Sequence, residues 1–332
     1  DLELVDSWPS RSGKPSWVIY DPLRNSYFRI GYTYFVFLSH WSLSAVGKIK
    51  EAAEQHLKRR IDLDEISEFV SFLFESQLTS TSVGEGYRPL FERAERSRKG
   101  LFSTALHGYL FFKIPLWRPE HFLSLTWPVV RFFFNGPAAC FFAFCGVLGL
   151  YFTSRQWTAF QDTFTSLLSL QGFLFYSFSL IFVKVLHELG HAFMAHRHGV
   201  KVSIIGVAFL VLMPIMYTDT SDAWRLKSKA KRLQIDAAGI MVELALACVA
   251  TLLWVFLPDG GVRTAEFSVA AVSWTLSLLV NLNPFMKFDG YYILSDALGL
   301  QNLQSRSFAL ARWRLREVLI GLGKPTPERL DA

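Results

Sequence analysis

The sequence predicts a mostly α-helical, polytopic membrane protein that carries a small α+β domain at its N-terminal end. Hydrophobic residues make up 51% of the 332 residues, and the chain contains 31 Phe and 10 Trp. Such aromatic content is typical of membrane proteins and rare in soluble domains. Four apolar runs approach the roughly 20 residues that a spanning helix needs. They lie at 129–152, 164–186, 235–257 and 267–285, within a predicted membrane-embedded core at 127–304.

The first 80 residues have mixed polarity and predict a soluble domain. Two short runs with strand character, 17–20 and 27–30, flank a turn and predict a hairpin. Helical patterns follow, and Asp62 is the expected N-cap of the third helix. Trp17, Ile19, Asp21, Pro22 and the run 25–30 form a characteristic pattern within the hairpin. This pattern and the order of elements resemble the PqqD-like winged-helix domains, which bind leader peptides. The order of elements equally fits a generic small cytosolic domain.

Residues 81–126 predict a linker followed by an interfacial segment. Charged residues are frequent up to Lys99, and from 101 to 127 aromatic residues mix with charged residues and with Pro. This mixture is too polar to span a membrane. Trp117 and Trp127 are expected at the level of the lipid headgroups.

The distribution of basic residues predicts how the spans are oriented. Lys and Arg concentrate in 225–232 and in the tail 305–332, whereas the segments 154–163 and 258–266 carry one Arg each. Cytosolic loops are enriched in basic residues, so the N-terminus, both basic segments and the end of the second span are expected in the cytosol. We expect a multi-pass protein of the bacterial cytoplasmic membrane. The net charge of +6 then reflects orientation, and no nucleic-acid partner is predicted.

Residues 202–217 lie between the second and third apolar runs and predict a different structure. They are rich in Val, Ile and Gly, contain Pro214, and are too short to span the membrane. A hairpin or a re-entrant piece against the site is expected.

The motif His187-Glu188-Leu189-Gly190-His191 closes the second apolar run. On a helix, positions i and i+4 share a face, so the two imidazoles converge and offer half of a tetrahedral zinc site. Glu188 is then the expected general base, which takes a proton from zinc-activated water. A chance match is disfavoured because three ionisable residues at the end of an apolar run are costly unless they have a function.

A third zinc ligand is needed, and two residues are available for it. His198 lies on the same helix, where a third ligand gives poor tetrahedral geometry. Asp289 follows the fourth apolar run and precedes Gly290, and the predicted topology places it at the depth of His187 and His191. Asp289 is therefore the expected ligand, with N-capping of a helix at 291–298 as its alternative role.

An HExxH motif in one span and Asn-Pro followed by Asp-Gly in a later span, at 283–290, resemble the site-2 protease family of intramembrane zinc metalloproteases. The pattern at 217–224 resembles a branch of putative peptide zinc metalloproteases found beside bacterial peptide-export and peptide-maturation systems. Members of this branch often continue into further spans, so the tail 305–332 is expected to precede more chain. The resemblance implies that His187, His191 and Asp289 bind Zn²⁺ and that Glu188 is the base. It also implies that Asn283 positions substrate or stabilises the oxyanion.

Residues 238–243 depart from the pattern A-G-P-x-x-N that is frequent in this family. Ile240 stands in place of Pro, and Glu243 in place of Asn. An acid within an apolar span is costly unless it has a partner. Glu243 is expected either to hold a zinc-ligating His as an outer carboxylate or to pair with Lys184 or Lys287.

These observations predict a membrane-embedded zinc endopeptidase that hydrolyses a membrane-associated substrate or a peptide precursor. The lipid bilayer, the substrate and peptide-export components are the expected partners. The alternative is a component of a peptide export or maturation system whose zinc site is structural. A plain membrane scaffold would leave the shared depth of the three ligand types unexplained.

Overall fold

The structure is a computed structural model of the chain. It describes residues 2–6, 15–21, 26–43, 45–76, 78, 111–210, 213–300, 303–321 and 323. The chain forms two compact units, each built from segments that are separated in sequence. The first contains Asp1–Arg118 and Val200–Ser228, and the second contains Pro119–Gly199 and Lys229–Ala332. The second unit does not contain the segment 200–228, and the predicted domain boundaries stay predictions.

The N-terminal part of the first unit contains a three-stranded antiparallel sheet followed by three helices. The strands, in sheet order, are β1 Glu3–Asp6, β2 Ser16–Asp21 and β3 Ser26–Gly31. The helices are α1 Tyr32–Ser39, α2 Val46–Leu57 and α3 Leu63–Glu75. The predicted hairpin is confirmed by the pairing of β2 with β3, whereas β1 was not predicted. Phe37 and Phe69, both fully buried, lie at the centre of the core. The resemblance to PqqD-like domains stays a prediction.

A second antiparallel sheet of the first unit joins distant parts of the chain. Its strands, in sheet order, are β4 Phe111–Trp117, β5 Ile205–Leu210 and β6 Met213–Thr218. Of the two predictions for 202–217, the hairpin is the one observed. Residues 111–117 form a strand, and their predicted location at the membrane interface stays a prediction. Their partner strand β5 is about ninety residues away in sequence, so no local pattern indicates the pairing.

In its described residues, the second unit has four α-helices before the sheet segment and four after it. Those before the sheet segment are α4 Glu120–Val130, α5 Gly136–Arg155, α6 Trp157–Ser166 and α7 Leu170–Arg197. Those after it are α8 Lys229–Phe256, α9 Gly261–Thr275, α10 Asp289–Leu298 and α11 Leu303–Ile320. Within the described residues, α5, α7 and α8 are long and apolar enough to cross a membrane. The predicted fold class of a helical membrane protein with a small N-terminal domain is confirmed.

Helix caps explain why the first two spans begin later than the apolar runs suggest. The side chain of Asn135 accepts a hydrogen bond from the backbone N–H of Ala138 at 2.8 Å and starts α5. The hydroxyl of Ser169 accepts one from the N–H of Gly172 at 3.1 Å and starts α7. Residues before each cap belong to separate helices, because a cap satisfies the first free N–H groups and fixes the helix start.

The predicted fourth span, 267–285, is not one continuous α-helix. Helix α9 ends at Thr275, and a π-helix, Leu276–Asn281, continues it before the chain turns towards α10. This segment is not among the three helices that meet the length and apolarity of a span. Helix α8 packs against α5, α7, α9 and α10, so it forms the centre of the unit and reaches every element that carries a residue of the site.

Candidate metal centre

Helix α7 and the start of α10 bring three metal-ligating side chains together. The Nε2 atoms of His187 and His191 lie 3.2 Å apart. The Oδ2 atom of Asp289 lies 3.2 Å from Nε2 of His187 and 3.3 Å from Nε2 of His191. The structure thus places the two histidines and the acid expected from the sequence in one cluster.

The dimensions of this triangle match a zinc ion. Zinc bonds of about 2.0–2.1 Å in a tetrahedron put the ligand atoms about 3.3–3.4 Å apart. The three observed separations are 3.2–3.3 Å. Oδ2 of Asp289 is also buried without a well-formed hydrogen bond in the described part of the chain. A buried carboxylate oxygen needs a partner, and a cation at the centre of the triangle provides one.

The second nitrogen of each imidazole faces an acceptor. Nδ1 of His191 donates to the backbone carbonyl of Ile235 at 2.7 Å. Nδ1 of His187 lies 2.9 Å from Oε1 of Glu243, although the ring N–H is not well aligned with that oxygen. A proton held on Nδ1 leaves the lone pair of Nε2 for a metal. The acceptors at the Nδ1 side of each ring therefore orient Nε2 towards the centre of the cluster.

Helix α8 approaches the two ligand rings at Gly239. A Cβ atom on this residue would lie 2.4 Å from Cε1 of His187 and 2.5 Å from Nε2 of both His187 and His191. Such distances are too short for any side chain. Glycine at this position lets the backbone of α8 form a wall of the site.

Asp289 is the first residue of α10 and not its N-cap, which is Phe288. The turn before it is tight, since a Cβ on Gly290 would lie 2.5 Å from the backbone C and O atoms of Leu282. In the same turn, Oδ1 of Asn283 accepts a hydrogen bond from the backbone N–H of Phe285 at 2.9 Å. None of the described contacts joins Asn283 to the His–Asp cluster. Its side chain shapes the turn that presents Asp289.

The proposed base and the unusual acid are both buried. Glu188 is 8% exposed and follows His187 on α7. Glu243 is 0% exposed, and its Oε1 lies 3.0 Å from Nζ of Lys184 as well as close to His187. Of the two partners that the sequence left open, an outer contact to a ligand and a pair with Lys184, the structure shows both. Lys287, the other lysine considered, is exposed.

Two further donors to Glu243 were not found from the sequence. Oε2 of Glu243 accepts hydrogen bonds from Oγ of Ser277 at 2.8 Å and from Nδ2 of Asn281 at 2.7 Å. Both donors lie in the π-helix, a helix form often seen at functional sites. Their spacing of four within an apolar run was the only available signal.

The remaining histidines of α7 and its end have other partners. Nδ1 of His196 lies 3.5 Å from Oε1 of Glu120. Nε2 of His198 lies 2.8 Å from Oε1 of Gln234. Burial and two neighbouring basic side chains lower the pKa of the His198 imidazole from its usual value, against the effect of this hydrogen bond. Neither ring joins the metal cluster.

Part of the basic segment that indicates orientation also fixes α10. Arg232 is 3% exposed, and its Nε donates to Oδ2 of Asp296 at 2.7 Å. Nζ of Lys229 donates to the backbone carbonyl of Ala297. These contacts hold the C-terminal half of α10 against α8, and Asp289 lies at the other end of that helix.

The HExxH motif lies on a helix that is long and apolar enough to span a membrane. An acid from a later segment completes a cluster of three metal-ligating residues. These features together define a membrane-embedded metalloprotease. Residues 175–269 match the family model of Peptidase family M50. This match, limited to residues 175–269, supports the site-2 protease family that the sequence motifs predicted. It includes the HExxH motif and Glu243 but ends before Asp289, whose place in the site is given by geometry. The comparisons with curated proteins and with solved structures gave no match.

Proposed function

We propose that the chain is a zinc endopeptidase that cleaves a membrane-associated protein or a peptide precursor within or at the membrane. The observation that carries the proposal is the triangle of His187 Nε2, His191 Nε2 and Asp289 Oδ2, whose sides match a tetrahedral zinc site. Three protein ligands leave one tetrahedral position for water or substrate, which is typical of catalytic zinc sites and not of structural ones.

The residues of the site divide the work of peptide hydrolysis. Zinc, when bound, activates water and polarises a carbonyl as a Lewis acid. His187, His191 and Asp289 would hold the ion, and Glu188, adjacent to His187, would take a proton from the attacking water and return it to the leaving amine. Asn283, in the turn before Asp289, is the proposed positioning group for substrate. Its amide Nδ2 is the donor for that role, since its oxygen already accepts from Phe285 N–H.

The substrate must present an unfolded stretch of backbone to this site. The carbonyls of a membrane helix are already hydrogen-bonded within the helix. A helical substrate therefore has to unwind locally before a peptide carbonyl is available to the metal. Peptide precursors that are extended to begin with avoid this cost, and they are the favoured substrate class.

The proposal is tested by metal content and metal removal. The full chain, purified in detergent, is expected to contain about one zinc per chain. Chelation is expected to remove cleavage of a fluorescent library of precursor-like peptides, and added zinc is expected to restore it. A chain that contains no zinc, or one whose cleavage survives complete removal of metal, would overturn the proposal.

We also propose that the N-terminus, the basic segment 225–232 and the tail lie in the cytosol, on the basis of the excess of Lys and Arg there. The site would then face the cytosolic side. A bacterial cytoplasmic membrane is the proposed location, with peptide-export components as proposed partners.

Cysteine labelling tests this orientation. In a chain whose 3 cysteines are replaced by alanine, new cysteines at the exposed residues Lys231 and Asp259 are compared. Membrane-impermeant reagent added to intact cells is expected to label Asp259→Cys and to label Lys231→Cys only after lysis. Labelling of both from one side contradicts the proposed topology.

A further inference from the structure

Lys184 lies three residues before His187 on α7, within a span where a lysine is costly. Its Nζ lies 3.0 Å from Oε1 of Glu243 and 3.5 Å from Oδ1 of Asn281. The side chain of Lys184 is 25% exposed, whereas that of Glu243 is 0% exposed. A buried carboxylate that loses its counter-charge is strongly destabilising. Lys184 therefore supplies the positive charge that the position of Glu243 requires.

Glu243 contacts both segments that carry the metal ligands. Its Oε1 lies 2.9 Å from Nδ1 of His187. Its Oε2 accepts from Nδ2 of Asn281 at 2.7 Å. The backbone of Asn281 in turn packs on Gly290, where a Cβ would lie 2.8 Å from the carbonyl oxygen of Asn281. Gly290 directly follows Asp289, so the same carboxylate reaches one ligand directly and the other through Asn281.

We propose that Lys184 and Glu243 form a charge-compensated clamp that positions His187 and Asp289 for metal binding. Lys184 is a positioning residue in this clamp, since its described contacts are with Glu243 and Asn281 and not with the metal cluster. The inference rests on the proposed zinc site. It adds that the two charges act as one unit, because a single charge left in this place is worse than none.

The joint action of the two charges is tested by measuring zinc binding to four full-length chains in detergent. These are the wild type, Lys184→Met, Glu243→Gln and the double variant. Zinc affinity is measured by competition with a chelator, and the absorption spectrum of the cobalt-substituted protein reports ligand geometry. Lys184→Met is expected to weaken zinc binding by about 10–100-fold, the range for outer partners of a ligand, and to shift the cobalt spectrum. The double variant is expected to bind zinc no more weakly than Lys184→Met.

Two further variants serve as controls. Lys184→Arg keeps the charge and is expected to bind zinc within a few-fold of wild type. Lys287→Met removes the exposed lysine near Asp289 and is expected to leave affinity and spectrum unchanged. If Lys184→Met does not fold, the double variant is still expected to fold, because it leaves no charge unpaired.

The clamp is wrong if Lys184→Met keeps wild-type affinity and the wild-type cobalt spectrum, or if the two losses multiply in the double variant. It is equally wrong if the double variant fails to fold. A wild-type chain that binds no zinc overturns the proposed function itself. If the wild type binds zinc but the effects of Lys184→Met and Glu243→Gln on zinc affinity are independent, only the clamp is overturned.

Discussion

Replacement of Glu188 by glutamine is expected to slow peptide cleavage by orders of magnitude and to leave zinc binding and folding intact. Glutamine has nearly the size of glutamate and can form hydrogen bonds, but it cannot accept a proton at neutral pH. Loss of a general base costs typically about 100- to 10,000-fold in rate. Cleavage of a precursor peptide by the purified wild type and Glu188→Gln, with zinc content measured in parallel, checks this result.

The matched control for this change is Glu266→Gln. Glu266 is also an acid in an apolar helix, α9, and it makes no described contact with the cluster. It is expected to cleave like the wild type. In cells, the wild type and Glu188→Gln are both scored for peptide cleavage and for peptide export. Unchanged export with no cleavage product in the wild type or in Glu188→Gln would contradict the protease function and favour the export component with a structural zinc site.

Loss of any one metal ligand is expected to remove most of the zinc. In His187→Ala and Asp289→Ala, two protein ligands remain of the three that form the triangle. Removal of a partner that only orients a ligand weakens metal binding by about 10–100-fold, so removal of a ligand itself is expected to cost more. Zinc per chain after dialysis against a weak chelator measures the effect.

Two controls separate ligand loss from general damage. His198→Ala removes the histidine that follows α7. The side chain of His198 contacts Gln234 and not the cluster. Asp259→Ala removes an exposed acid near the start of α9. Both are expected to keep full zinc. Stoichiometric zinc in Asp289→Ala would show that another residue is the third ligand.

Local sequence patterns were sufficient to select the three residues that the structure brings together in the cluster. The spacing of His187 and His191 puts two imidazoles on one helical face wherever that helix lies. The hairpin of β2 and β3 follows from short-range turn signals in the same way. Asp289 could be chosen as a ligand because its position after an apolar run set its depth, although the pattern did not fix any distance.

Helix ends and helix types followed less directly from composition. The apolar run at 129–152 starts before Asn135, which caps α5, and hydropathy does not register a cap. The run at 267–285 contains the end of α9, the π-helix and a turn. Hydropathy averages over all three, because it reports burial and not backbone geometry.

The sequence by itself determined that the chain is a helical membrane protein and that its second span carries two histidines on one helical face. Only the tertiary structure decided what surrounds those two side chains. Glu243 contacts Lys184, 59 residues earlier, and Asn281, 38 residues later. Strand β4 pairs with β5 across a still longer stretch of sequence. The periodicity of apolar residues in a sequence indicates which faces of a helix or strand are buried. Their partners are set by how α7, α8 and the π-helix pack, which is a property of the whole unit.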